Sequence, residues 1–211
     1  MPCAICQIRR PRRFCLGVRG DICTLCCGTE REVTVDCPLD CEYLADARKH
    51  DRVTPADPAQ FPNQDIRVTE PFLQEHEGLL VFLGRQTLEA ALSTPGAVDY
   101  DVREALEALI RTYRSLQSGV YYETRPDNPL AARIAQALQV GATEFCKRET
   151  EQLGMTKTRD ADILAVLAFL QRLELDHNNG RKRGRAYLDF LRAFFPGAEA
   201  PAAQQSSLIV P

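Results

Sequence analysis

Cysteine is confined almost wholly to one end of this chain: eight of its nine cysteines lie within the first 41 residues. Six of these pair as Cys3-x2-Cys6, Cys23-x2-Cys26 and Cys37-x3-Cys41, with Cys15 and Cys27 left over. A segment of about fifty residues buries too little apolar surface to fold on its own core, so it needs disulfides, a metal or a partner. The spacing is that of thiolate metal ligands, and eight thiolates suffice for two closed tetrahedral zinc sites.

Disulfides require an oxidising compartment, and the opening MPCAICQIRRPRRF lacks the apolar run of a secretory signal. No later stretch reaches membrane-spanning length, so a cytoplasmic protein is expected. In a reducing compartment clustered Cys-x2-Cys pairs act as zinc ligands; redox-active thiols, an iron–sulfur cluster or oxidised pairs are the alternatives. A redox pair usually stands alone beside a strand-helix unit, whereas here at least four thiolates compete for one small volume. A zinc ion saturated by four thiolates is inert, and a catalytic zinc would need an open position and usually a histidine, of which this segment offers only His50.

The segregation of cysteine divides the 211 residues into two folded parts. Residues 1–52 form the cysteine module, and residues 53–68, rich in proline, read as a linker. Helical periodicity then runs through 69–196, enough for a bundle of about five helices. Thr69 caps the first, whose apolar face carries Phe72, His76, Leu79, Leu83 and Leu88. Asp101 with Glu104 reads as the capping box of a second, with Val102, Leu106, Leu109, Tyr113 and Leu116 recurring along it. Asn128-Pro129 opens a third in the expected order of cap and first-turn proline. Residues 160–175 are apolar on more than one face and suit the centre of the bundle, and a last helix runs through Tyr187, Leu191 and Phe194. The tail, 197–211, is expected to be disordered. The fold class is therefore mainly α: a small N-terminal double-zinc module, treble-clef-like or cross-brace, followed by an all-α bundle.

Within the module, Cys3, Cys6, Cys23 and Cys26 have the spacing of a zinc ribbon. Proline after Cys37 suggests that a helix begins there, placing Cys37 and Cys41 one turn apart on one face, and residues 31–35 alternate like a short strand before it. Adjacent Cys26 and Cys27 point apart and suit two different ions. The simplest partition gives Cys3, Cys6, Cys23 and Cys26 to one zinc and Cys15, Cys27, Cys37 and Cys41 to the other; an interleaved cross-brace fits equally. His50 could replace Cys15, although a solvated histidine at a helix end is the plainer reading.

The run from Cys26 to Arg48 resembles an N-terminal segment of bacterial proteins of unassigned function that share a Cys-Cys-Gly…Arg…Cys-Pro-x-Asp-Cys-x-Tyr-Leu pattern. The ligand spacing is also similar to that of eukaryotic cross-brace fingers of the MYND and HIT types, which bind proteins rather than DNA. Those fingers carry a histidine and a last cysteine that this sequence does not match. What the resemblance implies is zinc and an interaction role, with no reaction attached.

Net charge is −3, which gives no global electrostatic case for binding nucleic acid. Two local clusters do: Arg9, Arg10, Arg12, Arg13 and Arg19 in the module, and Arg181, Lys182, Arg183 and Arg185 near the C-terminus. Glu30, Glu32, Asp36, Asp40 and Glu42 neighbour the first cluster in sequence and would neutralise it if they neighbour it in space. Of the remaining candidates, His76 reads as a core or boundary residue, His177 as a helix-end cation, and Cys146 as a small half-buried core residue. Tyr121, Tyr122 and Arg125 lie in a loop that could meet a partner, or could plug the bundle and pair locally. No repeated Glu-x-x-His pairs on facing helices suggest a di-metal bundle. The expected function is a non-enzymatic adaptor that binds an unidentified protein partner through its zinc module. The alternatives are a nucleic-acid-binding regulator using both basic clusters, and an enzyme with a site in the bundle.

Overall fold

The computed structural model describes residues 1–51, 57–120 and 122–198. Expectations for residues 52–56, for Tyr121 and for residues 199–211, which include most of the tail, lie outside the described residues.

The module begins with an antiparallel hairpin, β1 (Arg13–Cys15) and β2 (Gly20–Ile22), with Phe14 opposite Asp21 and Cys15 opposite Gly20. At its turn, Gly17 passes directly over the backbone of Asp36, where any Cβ would collide with a carbonyl oxygen. Helices α1 (Thr24–Glu30) and α2 (Glu42–Arg48) follow. Two sequence expectations are corrected. Residues 31–35 are not a strand: only Arg31 and Val35 bridge, and the Glu30 carbonyl accepts from the amides of Val33, Thr34 and Val35. Glu32 in that turn takes a left-handed backbone, φ 54°. The second helix starts at Glu42 with Cys41 as its cap, so Cys37 and Pro38 precede it in a turn closed by Cys41 N–H to Pro38 O at 3.1 Å.

The bundle contains α3 (Glu70–Glu75), α4 (Glu77–Leu92), α5 (Asp99–Gln117), α6 (Pro129–Leu153), α7 (Asp160–His177) and α8 (Ala186–Phe194). The first expected helix is broken at His76, whose backbone (φ −107°, ψ 25°) leaves the helical region. Thr69 caps α3 and Asn128 caps α6, each accepting a backbone N–H within the first turn. Asp101 is not the cap of α5: the helix starts at Asp99, and Asp101 sits one turn in, accepting the Val98 amide at 2.8 Å.

Helix α5 packs against α6 and α7, and α4 against α6, α7 and α8. Helix α7 is buried on nearly every face, through Ile163, Leu164, Val166, Leu167, Ala168 and Leu170, which makes it the centre expected from its unbroken apolar run. Each fully buried leucine or isoleucine here contributes roughly 1.5–3 kcal/mol relative to an exposed one. No helix among the described residues is long and apolar enough to cross a membrane.

Residues 62–68, expected as linker, are tied to the bundle. Asn63 donates to Gln171, Arg114 reaches Asn63 and Asp65, and Arg172 donates to the carbonyls of Asn63 and Ile66.

Candidate metal centre

Cys3, Cys6, Cys23 and Cys26 bring their sulfurs together so that all four lie within 4.8 Å of one another. Four thiolates about 2.3 Å from one zinc stand roughly 3.8 Å apart, so this group could hold a single metal ion, and its all-sulfur donor set suits zinc. Local folding dictates the arrangement. Cys23 caps α1, accepting the Cys26 amide at 3.4 Å, while the Cys23 amide points at the Cys3 sulfur at 3.2 Å. Burial opposes ionisation of Cys3, but backbone N–H groups of Cys6, Cys23 and Ile5 outweigh it and bring the thiol down to about 6. Burial, with Cys23, Cys6 and Cys3 crowded around it, pushes Cys26 up to about 12. Such a set ionises together only when a cation neutralises it. Arg9 lies against the Cys23 sulfur, which raises its own pKa and places a positive charge beside the thiolates.

The other four N-terminal cysteines, Cys15, Cys27, Cys37 and Cys41, line one cavity of about 20 Å³ beneath the hairpin, together with Arg13, Arg31 and Tyr43. Two guanidiniums face the Cys27 sulfur, Arg13 at 3.7 Å and Arg31 at 3.9 Å. Arg13 also lies 4.0 Å over the ring of Tyr43. The Cys37 thiol is pushed up, first by burial and then by the charges of Cys15, Cys41 and Glu32. Among the described residues, only the first set draws all its ligand atoms within 4.8 Å of one another. All nine cysteines are free thiols. Cys26 and Cys27 do face different groups, and the first group follows the sequential partition rather than the interleaved one. His50 is exposed beyond α2 and does not line the cavity.

Of the acidic residues next to the first arginine cluster, Glu32, Asp36 and Asp40 turn to the bundle, whereas Glu30 accepts from Thr29 and Thr34 within the module. Buried Glu32 accepts from Arg48 and Asn179 at 2.8 Å each and from the Arg185 amide at 3.0 Å, while its carbonyl accepts the Arg183 amide. Asp36 holds Arg185 at 2.5 Å and Asp40 holds Arg192 at 2.6 Å. Arg48 pairs with Asp189 at 2.7 Å. Arg185 additionally donates to the carbonyls of Cys37 and Ala97. Gly184 makes this approach possible, since a Cβ there would collide with the Asn179 side chain.

This corrects the reading of the second basic cluster. Arg185 is buried in the joint between module and bundle and cannot meet a phosphate, and Arg181 is half-buried with its guanidinium on the Arg31 carbonyl. Lys182 and Arg183 remain exposed. In the first cluster Arg9 and Arg13 attend the thiolates, whereas Arg10, Arg12 and Arg19 are exposed.

Nothing in the sequence pattern marked Glu32, Arg48, Asn179 or Asp189 as important. Their partners lie up to about 150 residues away, beyond any local periodicity.

The remaining candidates lie on the bundle helices and the loop between α5 and α6. His76 stacks near Phe72 and lies 3.8 Å from Asp162. His177 donates its Nδ1–H to the Leu173 carbonyl at 3.0 Å and packs on Phe190. Cys146 packs against the bundle core, and burial raises its thiol. Tyr122 is exposed, and Arg125 pairs with Glu123 at 2.8 Å.

Fold and site together define a mainly α protein bearing an N-terminal four-cysteine group that could hold one metal ion. Compared with protein-family models, curated proteins and solved structures, the chain matches none.

Proposed function

We propose that this chain is a non-enzymatic adaptor: a two-zinc module, mounted on a helical base, presents a rigid hairpin to a protein partner in a reducing compartment such as the cytoplasm. One zinc is assigned to Cys3, Cys6, Cys23 and Cys26 and the second to Cys15, Cys27, Cys37 and Cys41. The 20 Å³ cavity bounded by the second set has about the room of one ion. The guanidiniums of Arg13 and Arg31 offset the negative charge such a centre carries.

The observation that carries the reading is the outward face of the hairpin. Phe14, in β1, and Leu16, just beyond it, are each 56% exposed, and exposed Arg12 precedes the strand two positions before Phe14. Exposed Arg10 and Arg19 flank them. Exposed apolar side chains edged by arginine, on a segment this short, are the composition of a protein-binding surface. Zinc supplies the folding free energy that lets so small a unit hold such groups in water, on the order of 10 kcal/mol per structural site.

Nucleic acid is the less favoured partner. Arg181 and Arg185 are engaged within the molecule, and of the seven exposed large apolar residues of the module only Phe14 and Tyr43 carry a stacking face, the others being Met1, Ile8, Leu16, Leu25 and Val33.

A photo-crosslinking amino acid placed at Phe14 in cells tests the reading. Covalent capture of a discrete protein from this position, and not from the bundle position Val140, is expected. Capture of RNA, or of nothing at either position, would overturn it. Native mass spectrometry of the purified chain should show two zinc ions.

A further inference from the structure

The two cysteine groups stand in different relations to the rest of the molecule. Every module-to-bundle contact described above starts from residues 31–48: Arg31, Glu32, Asp36, Cys37, Asp40 and Arg48. None starts from a residue of the Cys3, Cys6, Cys23 and Cys26 group. Leu39, in the same stretch, packs on the bundle core. This stretch has almost no regular structure before α2; it is a turn, a single bridge and a second turn. Its own apolar anchors are few, Val35, Cys37 and Leu44.

The second cysteine group brackets the first part of this stretch, residues 31–41. Cys27 lies just before it in α1, Cys37 and Cys41 lie within it, and Cys15 supplies the hairpin against which it is held. The Gly17 turn closes over Asp36, one residue from Cys37. Binding an ion at Cys15, Cys27, Cys37 and Cys41, with the thiol protons released to solvent, would fix the stretch between its ends and set the acidic side chains and carbonyls in register with Arg185 and Arg192. Without that closure, the left-handed Glu32 and the Cys37 carbonyl are held locally only by the Arg31–Val35 bridge, the Glu30 carbonyl and the Cys37 amide on Val35, a single turn with few apolar anchors.

We infer that the metal site formed by Cys15, Cys27, Cys37 and Cys41 is a latch: its loading docks residues 31–41 onto the 179–192 end of the bundle, whereas the Cys3, Cys6, Cys23 and Cys26 site folds only its own corner. This rests on the two-zinc reading above. The consequence is a division of labour, in which one ion builds the displayed hairpin and the other determines whether the hairpin is held to the helical base.

Hydrogen–deuterium exchange on the full chain, with zinc counted by native mass spectrometry, tests the inference. The reporters are the amides of Arg183 and Arg185, which donate to Glu32. In Cys41→Ser, loss of one zinc and at least a ten-fold faster exchange at these two amides are expected, with α7 still protected. In Cys6→Ser, loss of one zinc with unchanged exchange at Arg183 and Arg185 is expected. Protected reporters in a Cys41→Ser protein that has lost one zinc would overturn the latch while leaving the two-zinc reading intact. A wild-type chain that holds one zinc, unaffected by Cys41→Ser, would overturn both. Loss of α7 protection in Cys41→Ser would mean that the bundle unfolds rather than undocks, and would overturn the latch.

Discussion

The guanidinium of Arg185 lies 2.5 Å from the carboxylate of Asp36, joining two residues 149 positions apart in the chain. The pair sits where the cysteine module meets α8, and the same guanidinium also satisfies the carbonyls of Cys37 and Ala97. One buried side chain thus holds three separate segments.

Replacing it should be costly. Arg185→Ala is expected to destabilise the protein by about 2–4 kcal/mol, because two buried carbonyls lose their donor and Asp36 loses its counter-charge. Asp36 is partly solvated, which keeps the loss below that of a fully buried pair. Denaturant unfolding of variant and wild type checks the figure, and Arg185→Lys should recover only part of it, since one ammonium cannot span the same acceptors.

Asp99 predicts a pH dependence. Its carboxylate accepts the amides of Tyr187 and Leu188 at the start of α8, yet burial outweighs these bonds and raises its pKa to about 7. The charges of Glu174 and Glu32 push the same way. A folded-state pKa above the unfolded value means that the fold binds the proton more tightly. The associated stability is therefore full below about pH 4 and is lost as pH rises through about 7. In Asp99→Asn, which keeps one carbonyl acceptor, this falling slope of roughly 1 kcal/mol per pH unit should vanish between pH 5.5 and 7. Unfolding at several pH values in excess zinc would reveal it, and parallel slopes in the two proteins would refute it.

Cys26→Ser should remove one zinc equivalent and the order of the hairpin. Cobalt substitution offers the readout: wild-type protein should show the intense thiolate charge-transfer absorption of sulfur-ligated cobalt, and the variant about half of it. Undiminished absorption would contradict the ligand set.

Phe14→Ala should leave stability within about 0.5 kcal/mol, as expected for an exposed surface residue. It should nevertheless weaken capture of a partner by a crosslinker at Leu16. A thermal unfolding scan and the crosslinked yield, measured side by side, separate the two effects.

The amino-acid sequence makes the local pieces plain where chemistry repeats or punctuates. Asn128-Pro129 announces α6, and the unbroken apolar run of residues 160–175 announces a buried α7. The Cys-x2-Cys pairs announce the first sulfur group. Errors arise where one residue can serve two local roles. Asp101 suits a cap or the third position of a helix; here Val98 is the cap and Asp101 the third residue, accepting the Val98 amide, while Asp99 is engaged by the first amides of α8. Residues 31–35 alternate like a strand but turn, because burying Glu32 against Asn179 and Arg185 requires it. The joint between module and bundle is not legible at all in a single sequence. Its charges pair across the whole chain, and the Arg181–Arg185 run looks the same on paper whether it faces solvent or lines an internal seam.

Glu32, wholly shielded from water, joins the stretch that carries Cys37 and Cys41 to the 179–185 end of the bundle, so under the two-zinc reading loss of the ions would expose this seam. Copies deprived of their ions would present unshielded charges and loosened backbone to cellular proteases, and would be cleared. The amount of this protein in a cell would then follow the supply of zinc without any dedicated sensor, the joint itself acting as the gauge.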